Sequence, residues 1–280
     1  MKQLRTIAYG ITLGLLISVG IEHLDRQETI AASTEEGTLT LVANGEDFVR
    51  QGFISKDGWQ IDFAHLYVNI GEAIAYSTES SFEPEKDDTK ESIEYQEKIA
   101  FLDTATTTDL ADGDANAAAI TVADVAVPAG FYNALAWRVT TADSNSLIAG
   151  NTMQLIGQAT KDGQTIDFNL GFNQPTEYVC GEFVGDLRQG IVETDSPGTV
   201  EMTFHFDHIF GDADTPPDDA LNQDALGFQP LASLASNEQI QLNDVELANQ
   251  LAPQDYQQLQ EAIAGLGHVG EGHCVVTSSQ

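Results

Sequence analysis

The segment from residue 152 to residue 172, TMQLIGQATKDGQTIDFNLGF, restricts the fold more than any other part of the sequence. Asp162 and Gly163 supply a two-residue turn signal, and β-rich runs lie on both sides of it. In an extended run, alternate residues share a face. The second run therefore places its apolar residues on one face, and these are Ile166, Phe168, Leu170 and Phe172. The pattern predicts an antiparallel hairpin with one buried face.

Similar β-rich segments recur between residues 37 and 210. We predict strands at 38–43, 59–70, 72–77, 98–103, 176–184 and 198–210, and two short strands within 120–141. The alternation changes near Ala64 and His65, which predicts a bulge there. Short strands at regular spacing, separated by turn residues, are typical of an antiparallel sandwich or barrel. We therefore expect a mainly β protein with an antiparallel β-sandwich fold.

The sequence changes to helical spacing after Asn243. Apolar residues at this spacing are Leu247, Leu251, Tyr256, Leu259, Ile263 and Leu266. Pro253 favours a helix start and Gly267 a helix stop. We expect three regions: a signal peptide or N-terminal anchor at 1–33, a β-sandwich domain with acidic loops at 34–235, and a helical tail at 236–280.

The composition is strongly acidic, with 44 Asp and Glu against 11 Lys and Arg and a formal net charge of −33. Nucleic-acid binding depends on basic side chains that displace counterions, so the charge argues against nucleic-acid partners and anionic membranes. Cations, in contrast, would be concentrated near this surface. The acidic surface can therefore keep the protein in solution in a salty medium. The alternative is that it has a function related to cations.

The N-terminal sequence has the pattern of an export signal. Lys2 and Arg5 precede an uncharged run at 6–21, and small residues follow at 31–33. Export to the periplasm or the extracellular space is therefore expected, with cleavage near Ser33 or Thr34. The small residues lie far beyond the apolar run, so an uncleaved anchor is the alternative.

Two cysteines, Cys180 and Cys274, occur in the exported part. In an oxidising compartment, the simplest use of two cysteines is one disulfide. That bond would tie the C-terminal tail to the middle of the domain. The alternative is that Cys274, beside His273, ligates a metal together with Cys180.

The segment FHFDHIFGDAD at 204–214 contains the strongest candidate ligands. If the strand at 198–210 is fully extended, His205 and Asp207 share the outer face and His208 points inward. If the strand ends near Asp207, His208 could turn to the same rim. Imidazole suits copper or zinc, and a carboxylate can complete such a site.

Further histidines could add to this set, namely His65, His268 and His273. Each of them lies near a predicted strand or helix end. The four ligands of a metal site can meet only if the fold brings these distant segments together. The alternative for each residue is an ordinary exposed or hydrogen-bonded histidine.

Acidic loops at 109–116 and 211–224 offer oxygen ligands for calcium, but neither fits the twelve-residue EF-hand pattern. The sequence lacks GxSxG, HExxH and a glycine-rich phosphate loop, so we do not expect an enzyme. A hydrolase with paired carboxylates would need a deep cleft with two facing acids.

Four segments occur in the same order as in a known family of exported proteins. They are FAHLYVNIGEAIAYS, KIAFLD, VPAGFYNALAWRV and IDFNLGFNQPTEYVC. Over about residues 60–180 they resemble the methanobactin-associated family of periplasmic copper-binding proteins, whose matching segments are a YVSN-type strand, LLDF, VPAGxYxGLxF and FHLGxxxC. The resemblance implies a periplasmic β domain that binds copper.

Two departures limit what this resemblance implies. Asn169 stands where the histidine of the FHLG segment would be, and TMQLIGQA replaces the family's tryptophan segment. The family's copper site therefore does not carry over at those positions. The segment HFDHIF is also similar to an HxDHxF segment of uncharacterised exported bacterial proteins, which again implies an exported β domain.

Together these observations lead us to expect an exported, non-catalytic protein that binds copper or zinc through His205, Asp207 and His208. A rival expectation is a structural or adhesion-type acidic sandwich that binds calcium weakly. Nothing in the sequence identifies a protein partner.

Overall fold

The structure, a computed structural model, describes residues 35–84, 86, 89–181, 189–270, 272 and 274–278. The strands are β1 Glu36–Asn44, β2 Phe53–Ile54, β3 Gln60–Ser77, β4 Glu97–Ala100, β5 Thr106–Asp109, β6 Ile120–Pro128, β7 Gly130–Phe131, β8 Ala134–Val139, β9 Met153–Lys161, β10 Gln164–Phe172, β11 Thr176–Cys180, β12 Ile191–Val192, β13 Gly198–Phe204, β14 Gln239–Asn243, β15 Gly267–His268 and β16 Cys274–Ser278. The helices are α1 Asp47–Gln51, α2 Asp207–Phe210, α3 Ala220–Asp224, α4 Gln229–Ala232, α5 Asp244–Gln250 and α6 Pro253–Ala264, and a 3₁₀-helix lies at Lys90–Ser92. The predicted signal or anchor at 1–33 and His273 lie outside the described residues.

The strands form two main sheets that are mostly antiparallel, and the expected mainly β, sandwich-like fold is confirmed. The smaller sheet has the order β15-β13-β1-β6, and the main path of the larger sheet is β14-β10-β9-β3-β8-β11-β16. The strands β2, β4 and β5 also pair with β3, and β7 pairs with β12. Parallel pairing joins β1 to β13 and β10 to β14.

The core lies between these sheets. Leu41 and Met202 from the smaller sheet belong to the same buried cluster as Leu66 and Trp137 from the larger one. The rings of Trp137 and Phe204 make contact across the two sheets, with centroids 6.3 Å apart. Burial of each such side chain contributes roughly 1.5–3 kcal/mol, so the inter-sheet contact is a main source of stability.

The predicted hairpin is confirmed as β9 and β10. Asp162 and Gly163 have φ angles of 50° and 82°, as a tight hairpin turn requires. The predicted bulge is confirmed as well, because the pairing of β3 with β9 shifts between Phe63 and His65. The segments predicted as separate strands at 59–70 and 72–77 instead form one strand, β3, which has a second irregularity between Ile70 and Glu72.

The C-terminal region contains the predicted helices. Asn243 caps α5 through a capping box with Glu246, and α6 begins at Pro253. The helix α6 ends at Ala264 and is capped by Gly265, two residues before the predicted stop at Gly267. The sequence did not predict the strands of this region, β14, β15 and β16, because each is fixed by pairing with a strand distant along the chain.

A disulfide joins Cys180 to Cys274, as predicted, so these cysteines are not metal ligands. The two residues lie directly opposite each other in the antiparallel pair of β11 and β16. They are 94 positions apart. The bond therefore fixes the C-terminal strand to the edge of the larger sheet.

In the part of the chain that the structure describes, no helix is both long enough and apolar enough to cross a membrane.

Replacement of both cysteines by serine should lower the free energy of unfolding by about 2–5 kcal/mol, because the disulfide restricts a long loop in the unfolded chain. Guanidinium unfolding of the oxidised protein and of the double variant measures this difference. Thr277→Ser, an exposed change on the same strand, serves as the control. Equal unfolding midpoints for the oxidised protein and the double variant would contradict the prediction.

Candidate metal site

The candidate ligands lie on a helical turn rather than on an extended strand. Strand β13 ends at Phe204, so the predicted extension to residue 210 is wrong beyond that residue. The backbone N–H of His208 donates to the carbonyl of His205 at 3.1 Å, and the N–H of Ile209 donates to that of Phe206 at 3.1 Å. Gly211, with a φ of 68°, ends the turn.

Aromatic burial explains this local conformation. Phe206 and Phe210 are fully buried, and both rings pack near Phe63, with centroids 6.4 and 6.2 Å from it. Residues four apart lie on one face of a helical turn, so a turn buries both rings together. In a strand they would also share a face, but about 13 Å apart along it. The turn therefore concentrates both rings at one place in the core.

The same turn brings the three predicted ligands together. One ligand atom from each of His205, Asp207 and His208 lies within 4.8 Å of the others. The rings of the two histidines are stacked, with centroids 5.4 Å apart and planes inclined by 20°. Around a tetrahedral zinc ion with bonds of ~2.0–2.1 Å, ligand atoms are ~3.4 Å apart. Small side-chain movements would therefore let all three residues bind one ion.

A third imidazole reaches this group from the C-terminal region. The antiparallel pairing of β15 with β13 sets His268 opposite Thr203. The ring centroid of His268 is 4.6 Å from that of His205 and 5.3 Å from that of His208. The structure thus brings His268 beside the predicted ligands.

The carbonyl of Gly265, just after α6, orients two of these rings. It lies 3.1 Å from Nδ1 of His208 and 3.2 Å from Nε2 of His268. A carbonyl oxygen can only accept, so both ring nitrogens are the donors. In the neutral ring of His208, Nε2 then carries the lone pair that a metal needs. Such outer hydrogen bonds are typical of histidine ligands.

His205 is buried and contacts an acid that the sequence analysis did not single out. Its Nδ1 lies 3.3 Å from Oε2 of Glu46, and its Nε2 lies 3.4 Å from the carbonyl of Gly270. Burial acts to lower the pKa of His205, but the hydrogen bond and charge of Glu46 outweigh it and raise this pKa. When it is protonated, the ring can donate to both oxygens, and a metal ion would take the place of the proton on Nε2.

Burial is the main cause of the pKa shifts of His208 and Asp207. Desolvation lowers the pKa of His208, although the charge of Asp207 opposes this shift. Desolvation raises the pKa of Asp207, against the charges of His208 and His205. Oδ1 of Asp207 is buried and has no hydrogen-bond partner among the described residues. A buried carboxylate oxygen of this kind is costly, and a cation would satisfy it.

The structure does not bring His65 into this group. Its Nδ1 lies 2.7 Å from Oδ2 of Asp109, and its ring stacks on Tyr67 with centroids 5.2 Å apart. The side chain is half exposed. The metal-ligand group found among the described residues consists of His205, Asp207 and His208, and His65 is not part of it.

The acidic loops use several of their carboxylates in local hydrogen bonds. Asp109 accepts from the backbone N–H groups of Leu66 and Ala111. Asp212 accepts from the N–H of Asp214, and Asp219 caps α3. Within the described residues, the acids of these loops form no group like the one at His205.

A cavity of about 980 Å³ adjoins the site and is lined by His208 and His268. Part of its lining is exposed to solvent, so an ion can reach these two rings. Its lining also includes two exposed acids, Asp224 and Glu261, with Gln257 donating to Glu261 at 2.8 Å. A hydrolase with paired carboxylates would require two facing acids in a deep cleft, whereas both of these acids lie at the exposed surface.

No protein-family model matches the chain, and no curated protein or solved structure matches it. The assignment of a function therefore depends on the geometry of the site.

Asp207→Asn should stabilise the metal-free protein at pH 8, because the neutral amide avoids the desolvation cost of the buried carboxylate. A carboxyl whose pKa is raised on folding destabilises the native state above that pKa, and this cost disappears below the pKa of the unfolded chain. The gain should therefore be present at pH 8 and absent near pH 3. Urea unfolding with a chelator at both pH values measures it, and a loss of stability at pH 8 would contradict the prediction.

Proposed function

We propose that the protein binds one divalent transition-metal ion, copper or zinc, through His205, Asp207 and His208. The observation that carries this proposal is the convergence of the three ligand atoms within 4.8 Å. The buried, unpaired Oδ1 of Asp207 supports it, because a bound cation would give that oxygen a partner.

The ligand types favour a transition metal over calcium. Calcium takes six to eight oxygen ligands, whereas imidazole nitrogen suits zinc and copper. With His268 included, the site would offer three imidazoles and one carboxylate. Four such ligands suit tetrahedral zinc, and copper(II) accepts the same nitrogen and oxygen donors in a more planar arrangement.

We further propose that this binding is non-catalytic and takes place outside the cytoplasm. The disulfide between Cys180 and Cys274 supports export, because such bonds persist mainly in oxidising compartments. The net charge of −33 would concentrate cations around the protein and keep it in solution. A role in holding or passing on a metal ion fits these properties.

The resemblance to the methanobactin-associated copper-binding family agrees with this proposal in function but not in the location of the site. Asn169, which replaces that family's histidine, lies on β10, where its Oδ1 accepts a hydrogen bond from Gln154 at 2.6 Å. We therefore propose that this chain holds its metal at residues 205–208 instead.

The purified, untagged protein should bind about one Cu²⁺ or Zn²⁺ per chain at pH 7.5. His208→Gln should weaken the binding by more than the about 10–100-fold loss typical of an outer-shell change. Isothermal titration and elemental analysis measure both. His65→Gln, which changes a half-exposed histidine outside the group, is the matched control. If the wild-type protein binds neither metal, the proposed function is wrong.

His268→Gln should also weaken binding, because it removes an imidazole 4.6 Å from His205. We expect a weaker complex whose Cu²⁺ electron paramagnetic resonance spectrum has fewer nitrogen couplings than that of the wild type. An unchanged spectrum and affinity would restrict the ligands to residues 205–208.

A further inference from the structure

Glu46 has a backbone conformation that is unusual for its residue type. Its φ is 63° and its ψ is 172°. This region of the backbone map is populated almost only by glycine, because a side chain there clashes with the backbone. Strain of this kind persists only where the surroundings enforce it, and it is frequent at functional sites.

Neighbouring residues hold this conformation in place. Oδ1 of Asn44 accepts from the backbone N–H of Glu46 at 2.9 Å, and Nδ2 of Asn44 donates to Glu201 on β13 at 3.0 Å. The preceding Gly45 packs so tightly that an added Cβ would lie 2.9 Å from a methyl carbon of Val49. The loop between β1 and α1 is therefore fixed to β13, the strand that leads into the candidate site.

The side chain of Glu46 contacts His205 rather than its own helix. Glu46 occupies the N-cap position of α1, yet its side chain makes no capping hydrogen bond there. Its Oε2 instead lies 3.3 Å from Nδ1 of His205, whose side chain is only 11% exposed. A glycine would fit the backbone without strain, but it would leave His205 without this carboxylate.

We propose that Glu46 is a positioning residue of the metal site, which accepts the Nδ1 proton of His205 and so presents Nε2 of that ring to the ion. This inference rests on the proposed function. Metal-bound histidines commonly donate their other N–H to a carboxylate, which fixes the ring and strengthens its bond to the metal. Of the two oxygens that flank the ring, the carboxylate is the stronger acceptor, so Nδ1 keeps its proton in preference to Nε2.

Charge balance supports the same role. Asp207 and Glu46 both lie beside His205, and their charges together would neutralise a divalent ion. A buried ion needs such compensation, because removal from water is costly. Glu46 would supply the second negative charge without a ligand bond of its own.

The test compares Glu46→Gly and Glu46→Gln with the wild type, using Zn²⁺ as the probe. Glu46→Gly should raise the thermal midpoint of the metal-free protein, because glycine relieves the strain. The same change should weaken Zn²⁺ binding by about 10–100-fold. Glu46→Gln should lose less affinity, since its amide oxygen can still accept from Nδ1. Opposite changes in stability and affinity would not result from a merely structural role.

Two further measurements make the outcome decisive. Long-range ¹H–¹⁵N NMR of the metal-free protein, at a pH where His205 is neutral, should show the proton on Nδ1 in the wild type and a shift toward Nε2 in Glu46→Gly. Asp47→Asn, an exposed neighbouring change, controls for general charge effects and should leave binding unchanged. Wild-type binding with equal affinity in Glu46→Gly would overturn this inference alone, whereas absence of wild-type binding would overturn the proposed function with it.

Discussion

Burial of the three phenylalanines in FHFDHIF is the constraint on which the rest of the site depends. Phe204 closes the inter-sheet core at the end of β13, and Phe206 and Phe210 fill the adjacent space with other aromatic rings. The turn that buries Phe206 and Phe210 also brings His205, Asp207 and His208 together. The grouping of these three side chains is therefore a consequence of aromatic packing.

The C-terminal region contacts this ligand group. The helix α6 packs against the domain through Leu259 and Ile263, and its end places the carbonyl of Gly265 between two imidazoles. The strand β15 follows at once and is paired with β13. Beyond it, the disulfide holds β16 on the larger sheet. The segment that carries His268 is thus held on both sides by independent interactions.

Features that depend on local sequence could be predicted, and features that depend on distant pairing could not. The Asp162–Gly163 turn and the break in alternation at Ala64 are local signals, and the structure reproduced both. The grouping of His205 with Asp207 was predicted from a strand that in fact ends earlier, since alternation cannot show where aromatic packing converts a strand into a turn. Glu46 was missed because neither its strained backbone nor its contact with His205 leaves a pattern in the sequence.

The parallel pairing of β1 with β13 has a kinetic consequence. It joins Leu39 to Gly198, and it holds the loop after β1, which carries Glu46, near His205. Pairings between such distant segments form slowly, because the entropy of closing the loop opposes them before any contact compensates. A site that includes Glu46 and His205 is therefore complete only after this long-range pairing has formed. Ion binding at this site would therefore be a property of the fully folded protein that partly folded chains lack.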